Sequence, residues 1–305
     1  MLKFLGRRDL AGPSDPRQTW VLGGGGGRGA AQVGVLIALF EAGIEPPGRI
    51  IGVSVGALNG AVVAARPDLG GALLLRDLWL SPPARGALQI DIWSLLRTGL
   101  RVGARSALPA RNLQRLIKHY TDIADVHRFE DLALPLEVVA TDIAAGTLKS
   151  FSSGDLALAL QASAALPAVF PAVSIDGVSY MDGGVIDNLP ISMAARHNPS
   201  GVLAISVMAP DPMDHAISGW AELSGRVLQL ALHHRMLSEY ALLKNRARVC
   251  ILCPVIPARL GWDMRERTVV GVIEAARRAT RALLEESGPA VLTQSGVHLI
   301  DLATH

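Results

Sequence analysis

Apolar and polar positions follow two periods along the chain, and the switches between them mark its elements. Gln18–Leu22 is a short apolar run ending in a block of glycines, and it predicts a buried strand. From Arg28 to Ala42, Val33, Leu36, Ile37 and Phe40 recur at helical spacing, with Gly43 suited to the helix end. Arg49–Val53 predicts a second buried strand, and the small residues of Val55–Ala65 predict a helix packed closely behind it. Two strands alternating with two helices is the pattern of a parallel sheet covered by helices.

The same reading continues downstream. Helices are expected at Asp68–Leu80, Leu113–His119, Leu156–Leu166, Ala216–Asn245 and Glu266–Glu286. Strands are expected at Leu136–Thr141, Thr147–Phe151 and Gly201–Met208, with another beginning at Val249. Val173–Ile175 and Val178–Met181 flank Asp176-Gly177 and predict a hairpin. Ser81 to Pro109 mixes Pro, Arg and Gly without a clear period and reads as a mobile flap. Residues 1–17, with Pro13 and Pro16 among Gly, Ser and Asp, read as a flexible leader. No internal repeat or low-complexity linker divides the rest, so one α/β domain is the simplest architecture.

Composition narrows the function. The chain has 305 residues, of which 50% are apolar and 18% charged, and this excludes intrinsic disorder. A net charge of +2, no long basic block and few aromatics exclude a nucleic-acid binder. The most apolar internal stretch, Leu156 to Val173, is broken by Gln161, Pro167 and Pro171, which makes it a poor membrane span. The mean hydropathy of +0.33 therefore implies a large core or an apolar groove. Cys250 and Cys253, the only cysteines, rule out a disulfide framework and suggest a reducing compartment. They form a C-x-x-C within an apolar strand, where residues i and i+3 point to opposite faces, so core packing is expected rather than a metal or redox site.

Three motifs carry candidate chemistry. Gly52-Val53-Ser54-Val55-Gly56 lies after a strand and before a helix, the setting of a nucleophile elbow. Taken alone, Ser54 is either a nucleophile or a helix cap in a tight turn. Gly24-Gly25-Gly26-Gly27-Arg28-Gly29 fits a dinucleotide loop, but the next strand ends in Gly52-Val53-Ser54 without the carboxylate a ribose needs. The other use of bare backbone N–H groups at a helix start is an oxyanion hole. Arg28 either adds positive charge there or fixes the loop from the surface. Asp182-Gly183-Gly184 places a carboxylate on a tight turn, as a base that accepts a serine proton directly or as an Asx-turn residue.

Together and in this order, Val21 to Leu36, the Ser54 elbow and Asp182-Gly183-Gly184 resemble the patatin-like phospholipases. So do Gln161-Ala-Ser-Ala-Ala-Leu-Pro-Ala-Val-Phe-Pro and Val185-Ile-Asp-Asn-Leu-Pro. The resemblance covers residues 18–210 and leaves 211–305 as an extension packed on the same domain. Gln32 departs from it, standing where bacterial relatives often have His. The resemblance implies a three-layer α/β/α sandwich with a mostly parallel sheet, and a lipid acyl hydrolase with no metal or cofactor. It implies Ser54 as nucleophile, Asp182 as base and the Gly24–Gly29 loop as oxyanion hole. Gly52 and Gly56 shape the elbow; Gly183 and Gly184 shape the base turn. The substrate expected is a fatty-acyl ester, with residues 82–108 as a lid over an acyl groove. The expected location is cytoplasmic, and any membrane contact transient and apolar. Three alternatives stay open: an acyltransferase with the same dyad, a Ser-His-Asp hydrolase using His197, His215 or His298, and a catalytically silent module.

Overall fold

In the computed structural model, residues 17–88, 108–197, 200–211, 219–256 and 263–302 are described. The first βαβ unit is as the periodicity predicts: β1 (Thr19–Leu22), α1 (Gly29–Glu41), β2 (Arg49–Val53) and α2 (Val55–Ala65). Then come α3 (Leu69–Leu80), α4 (Pro82–Leu88), α5 (Ala110–Ala124), β3 (Leu136–Asp142), β4 (Thr147–Phe151) and α6 (Leu156–Ser163). β5 (Val173–Ile175) and β6 (Val178–Asp182) form the expected hairpin, followed by α7 (Ile191–Arg196) and β7 (Val202–Ile205). α8 (Trp220–Leu243), β8 (Val249–Val255), α9 (Glu266–Ser287) and β9 (Gly296–Asp301) complete the order. Most of the expected flap, 89–107, and the leader through residue 16 lie outside the described residues.

The strands make one sheet in the order β5-β6-β3-β2-β1-β7-β8-β9, with β4 also on β3. From β3 through β2, β1, β7 and β8 to β9 every neighbouring pair is parallel. Residues along these strands alternate between two cores, as the period-2 geometry of a strand requires. Trp20, Leu22, Ile50, Leu136, Val138, Leu203, Ile205, Cys250 and Leu252 face one side. Val21, Ile51, Val53, Val139, Val202, Ala204, Val249, Ile251 and Cys253 face the other. The first face is covered by α1, α2, α3, α5, α6 and α9, the second by α7 and α8, giving three layers. The two cysteines enter different cores; both are buried and free, and burial pushes each thiol up to about 12. Among the described residues no helix is long and apolar enough to cross a membrane.

One detail of the pairing assembles the site. β4 pairs with Val138 to Asp142 along one edge of β3. The other edge is shared: β2 takes Leu136 to Val139, with Val53 opposite Val139, and β6 takes Ala140 to Asp142, with Asp182 opposite Ala140. β2 runs parallel to β3 and β6 runs antiparallel, so the two meet tip to tip. The last residues of β2 and β6 adjoin the turns that carry Ser54 and Asp182.

Candidate active site

The elbow is local geometry driven by close packing. α2 starts directly after β2, so the chain reverses at Ser54 with φ 55° and ψ −126°. This is a region L side chains rarely occupy, at a cost of about 1–3 kcal/mol. At Gly56 a Cβ would run into the Leu22 carbonyl oxygen, and at Gly52 it would lie 2.5 Å from the Ala57 Cα. Only hydrogen at both positions lets α2 press against β1 and β2. The Ser54 side chain makes no capping hydrogen bond to α2. Its hydroxyl instead faces Asp182, where it opposes the effect of burial on the carboxyl. The elbow backbone is fixed from outside, because Ser54 N–H donates to Ser163 Oγ at 2.9 Å and Ser163 Oγ donates to the Val139 carbonyl at 2.6 Å. Ser163 lies in the apolar block 161–171; only the tertiary structure shows it supporting the nucleophile's backbone.

Asp182 is 3% exposed. Its Oδ1 accepts the Gly184 N–H at 2.8 Å, so the Asx-turn exists alongside the contact with Ser54. Its backbone is held by N–H donation to Ala165 O at 3.0 Å and by Thr141 Oγ1 donating to its carbonyl at 3.0 Å. Burial raises the carboxyl from 3.8 to about 6, against the opposing hydrogen bonds from Ser54 and Gly184. A carboxylate so placed is a better proton acceptor than one in water while staying ionised at neutral pH.

The glycine loop passes beside the nucleophile, since a Cβ on Gly24 would lie 3.1 Å from Ser54 Cβ. Gly23 N–H donates to Ile205 O at 3.1 Å and Gly24 N–H to Asn188 O at 3.2 Å. Arg28 N–H donates to Gly25 O, and Gly29 N–H to the Gly26 and Gly27 carbonyls. Among the described residues, the N–H groups of Gly25, Gly26 and Gly27 have no acceptor. Beneath the loop, Gln32 Nε2 donates to Gly23 O at 2.7 Å. Asn59 Nδ2 donates to Gly29 O and Gln32 Oε1, and Trp79 Nε1 donates to Asn59 Oδ1 at 2.9 Å. Gln32 and Asn59 are fully buried, so this is a satisfied polar network inside the core that grips both ends of the loop.

Arg28 is not a surface residue. It is 6% exposed, with Nη1 3.8 Å from Met208 Sδ. Burial lowers its pKa, Asp211 opposes that shift and Arg226 adds to it.

The histidines fall elsewhere. His197 Nε2 is 2.6 Å from Glu137 Oε1, which also binds Arg49, at the starts of β3 and β2 and thus at the end of the sheet opposite Ser54. His298 lies on β9, four strands from β2, about 19 Å at ordinary strand spacing. Neither reaches Ser54, and His215 lies outside the described residues. Among the described residues there is no group of three His, Cys, Asp or Glu arranged to hold a metal.

A family model described as patatin-like phospholipase matches residues 20–195. An NTE family protein of Mycobacterium tuberculosis is 35% identical over 198 residues, covering 65% of this chain and 51% of that protein. Patatin-like phospholipase domain-containing protein 7 of Rattus norvegicus is 32% identical over 240 residues, covering 75% of this chain and 17% of that protein. The chain thus spans about half the length of the first relative and a sixth of the second. Among solved structures, VipD from Legionella pneumophila superposes with a TM-score of 0.44 at 15% identity, over 89% of this chain and 67% of that one.

Proposed function

Because the chain belongs to the patatin-like phospholipase family, we propose that it is a serine lipid acyl hydrolase that cleaves fatty-acyl esters through a Ser54–Asp182 dyad. Asp182 takes the Ser54 proton as Oγ attacks the ester carbonyl. The oxyanion is held by the N–H groups of Gly25 and Gly26, which with Gly27 are the loop donors not already committed. The tetrahedral intermediate collapses, and the alcohol or lysolipid leaves with the proton from Asp182. Asp182 then deprotonates water, which attacks the acyl-enzyme; the fatty acid departs and the proton returns to Ser54. Arg28 acts through a buried positive charge rather than through its N–H, which is bonded within the loop.

The observation that carries this reading is that the tips of β2 and β6 meet on β3, setting Ser54 on its strained elbow against the buried Asp182 carboxyl, with neither described candidate histidine, His197 or His298, at the site. The test has two arms. A fluorophosphonate should label Ser54 in the folded protein, and a panel of phospholipid, lysophospholipid and triglyceride should yield free fatty acid. No labelling of a folded chain removes the hydrolase reading. Free-acid release that survives Ser54→Ala transfers it to another residue.

Exposed apolar side chains support a transient, apolar contact with a lipid surface. Val185 stands beside the base turn, and Leu223, Val227 and Leu228 lie on α8. That part of α8 is tied to the active-site end of the sheet by Gln229 Nε2 donating to Ala209 O and by the Arg226–Asp211 pair. Two buried free thiols fit a cytoplasmic, reducing setting.

Gly25→Val should leave a folded protein that turns over about 10²- to 10³-fold more slowly, the usual loss on removing one oxyanion donor. A Cβ there would run into Val207 Cγ2, so the loop must shift and carry the Gly25 N–H with it. Steady-state kinetics with a soluble short-chain ester checks this; a normal kcat would place the oxyanion donors elsewhere.

A further inference from the structure

The oxyanion loop and the base come from strands that are not neighbours. The loop follows β1, Asp182 ends β6, and the tip of β2 with Ser54 stands between them. One residue spans the gap. After Asp182 the chain makes a short 3₁₀ turn, Gly183–Val185, and Asp187 N–H returns to Gly183 O at 3.0 Å. This curl sets Asn188 against Gly24. The Asn188 carbonyl accepts the Gly24 N–H at 3.2 Å, and its Nδ2 donates to the Gly24 carbonyl at 2.9 Å. Asn188 is 8% exposed, so both bonds are shielded from water.

The Oδ1 of the same amide explains two glycines. A Cβ on Gly24 would lie 2.5 Å from it, and a Cβ on Gly184 2.7 Å. Gly184 is also the residue whose N–H holds Asp182 Oδ1. One side chain therefore fills the space between the glycine loop and the turn of the base.

The bond to the Gly24 carbonyl has a directional consequence. The Gly24–Gly25 peptide is planar and trans, since the described chain has no cis bond. Its C=O and N–H therefore point in opposite directions. Holding the carbonyl on Asn188 aims the Gly25 N–H away from Asn188 and opposes a flip of that peptide, which glycines would otherwise permit. We propose that Asn188 is a positioning residue that orients the Gly25 oxyanion donor and ties it to the turn of the base, fixing both on either side of Ser54. This rests on the reading of Ser54, Asp182 and the Gly25 N–H given above.

The experiment compares Asn188→Ala and Asn188→Asp with wild type in the full chain. Each should lower kcat by about 10²- to 10³-fold, the scale of a lost oxyanion donor, with KM within about threefold. A trifluoromethyl ketone, which forms an oxyanion on the serine, should lose affinity in parallel. Asn188→Ala should keep the pH midpoint of wild type. Asn188→Asp, of nearly the same shape, keeps an acceptor but loses the Nδ2 donor. It also sets a second carboxylate near Asp182, which should move the midpoint upward. If both variants keep kcat within threefold of wild type, or lose it only through KM, the positioning role is wrong. Should Asn188→Ala fail to fold, Asn188→Asp alone decides by the same two criteria. Asp182→Asn, run alongside, separates the two readings. If it retains turnover, the dyad fails; if it is dead while the Asn188 variants are normal, only the role of Asn188 fails.

Discussion

Ser54→Gly is expected to be more stable than Ser54→Ala, while both lose turnover by at least about 10⁴-fold. The loss of activity needs only the missing nucleophile. The order of stabilities follows from the position of Ser54 as helix cap and from the elbow. In a helix interior Gly is less stable than Ala by about 0.5–1 kcal/mol because its unfolded chain is freer, whereas at a helix N-cap Gly is already the better of the two. Ser54 has φ 55° and ψ −126°, where a Cβ is strained and Gly is not. Relief of about 1–3 kcal/mol exceeds the entropic penalty and adds to the N-cap preference, so Gly leads Ala clearly. Urea unfolding of the two inactive variants at one pH measures the difference. If Ala is the more stable, the backbone strain is absent and the elbow is held by something other than the packing of α2 on β1 and β2.

The parts of this site legible in the sequence are the local ones. The loop after β1 and the elbow after β2 are βα turns whose glycines, flanking strands and following helices all lie within a few residues of each other. Asp182 could be read from its own residues as a base or an Asx-turn residue on a tight turn, and only the family resemblance paired it with Ser54. That pairing depends on β2 and β6 sharing one edge of β3, a long-range register that no spacing encodes. Ser163 and the Gln32–Asn59–Trp79 network were invisible for the same reason, since a buried hydrogen bond leaves no period in the chain. β9 escaped because it is an edge strand, and its half-exposed Gly-Val-His-Leu-Ile-Asp has no clean alternation. Periodicity alone gives α5 a shorter span, Leu113–His119, than the Ala110–Ala124 of the structure. Its last turn is amphipathic, with buried Tyr120 and Thr121 opposite the exposed Lys118–Asp122 pair. By sequence alone the whole Gly24–Gly29 loop is available as oxyanion hole, whereas folding commits the N–H groups of Gly24, Arg28 and Gly29 to carbonyls of the protein itself.

Asp182→Asn should remove turnover, by about 10⁴-fold, and at the same time stabilise the protein at alkaline pH. Folding raises the Asp182 carboxyl from 3.8 to about 6, chiefly through burial. The native state therefore holds this proton more tightly than the unfolded chain does. Stability from this group is fully present below pH 3.8 and is lost as pH rises through about 6. Above that, the buried ionised carboxylate costs about 3 kcal/mol, from the 1.36 kcal/mol that each pH unit of displacement represents. Asn keeps the shape and an oxygen for the Gly184 N–H, and it carries no charge. The variant should thus gain most at pH 8 and nothing near pH 4, read as the difference in unfolding free energy from urea titrations at the two values. Wild-type kcat/KM should rise with pH about a midpoint near 6, because only the ionised carboxylate accepts the Ser54 proton. The same charge thus accounts for both measurements: the stability lost by ionising Asp182 inside the protein is the condition for its acting as a base without a histidine. An Asp182→Asn protein that is inactive but no more stable at pH 8 than wild type would mean that the carboxylate is solvated in solution. The activity midpoint should then fall towards the ordinary carboxylate value near 4.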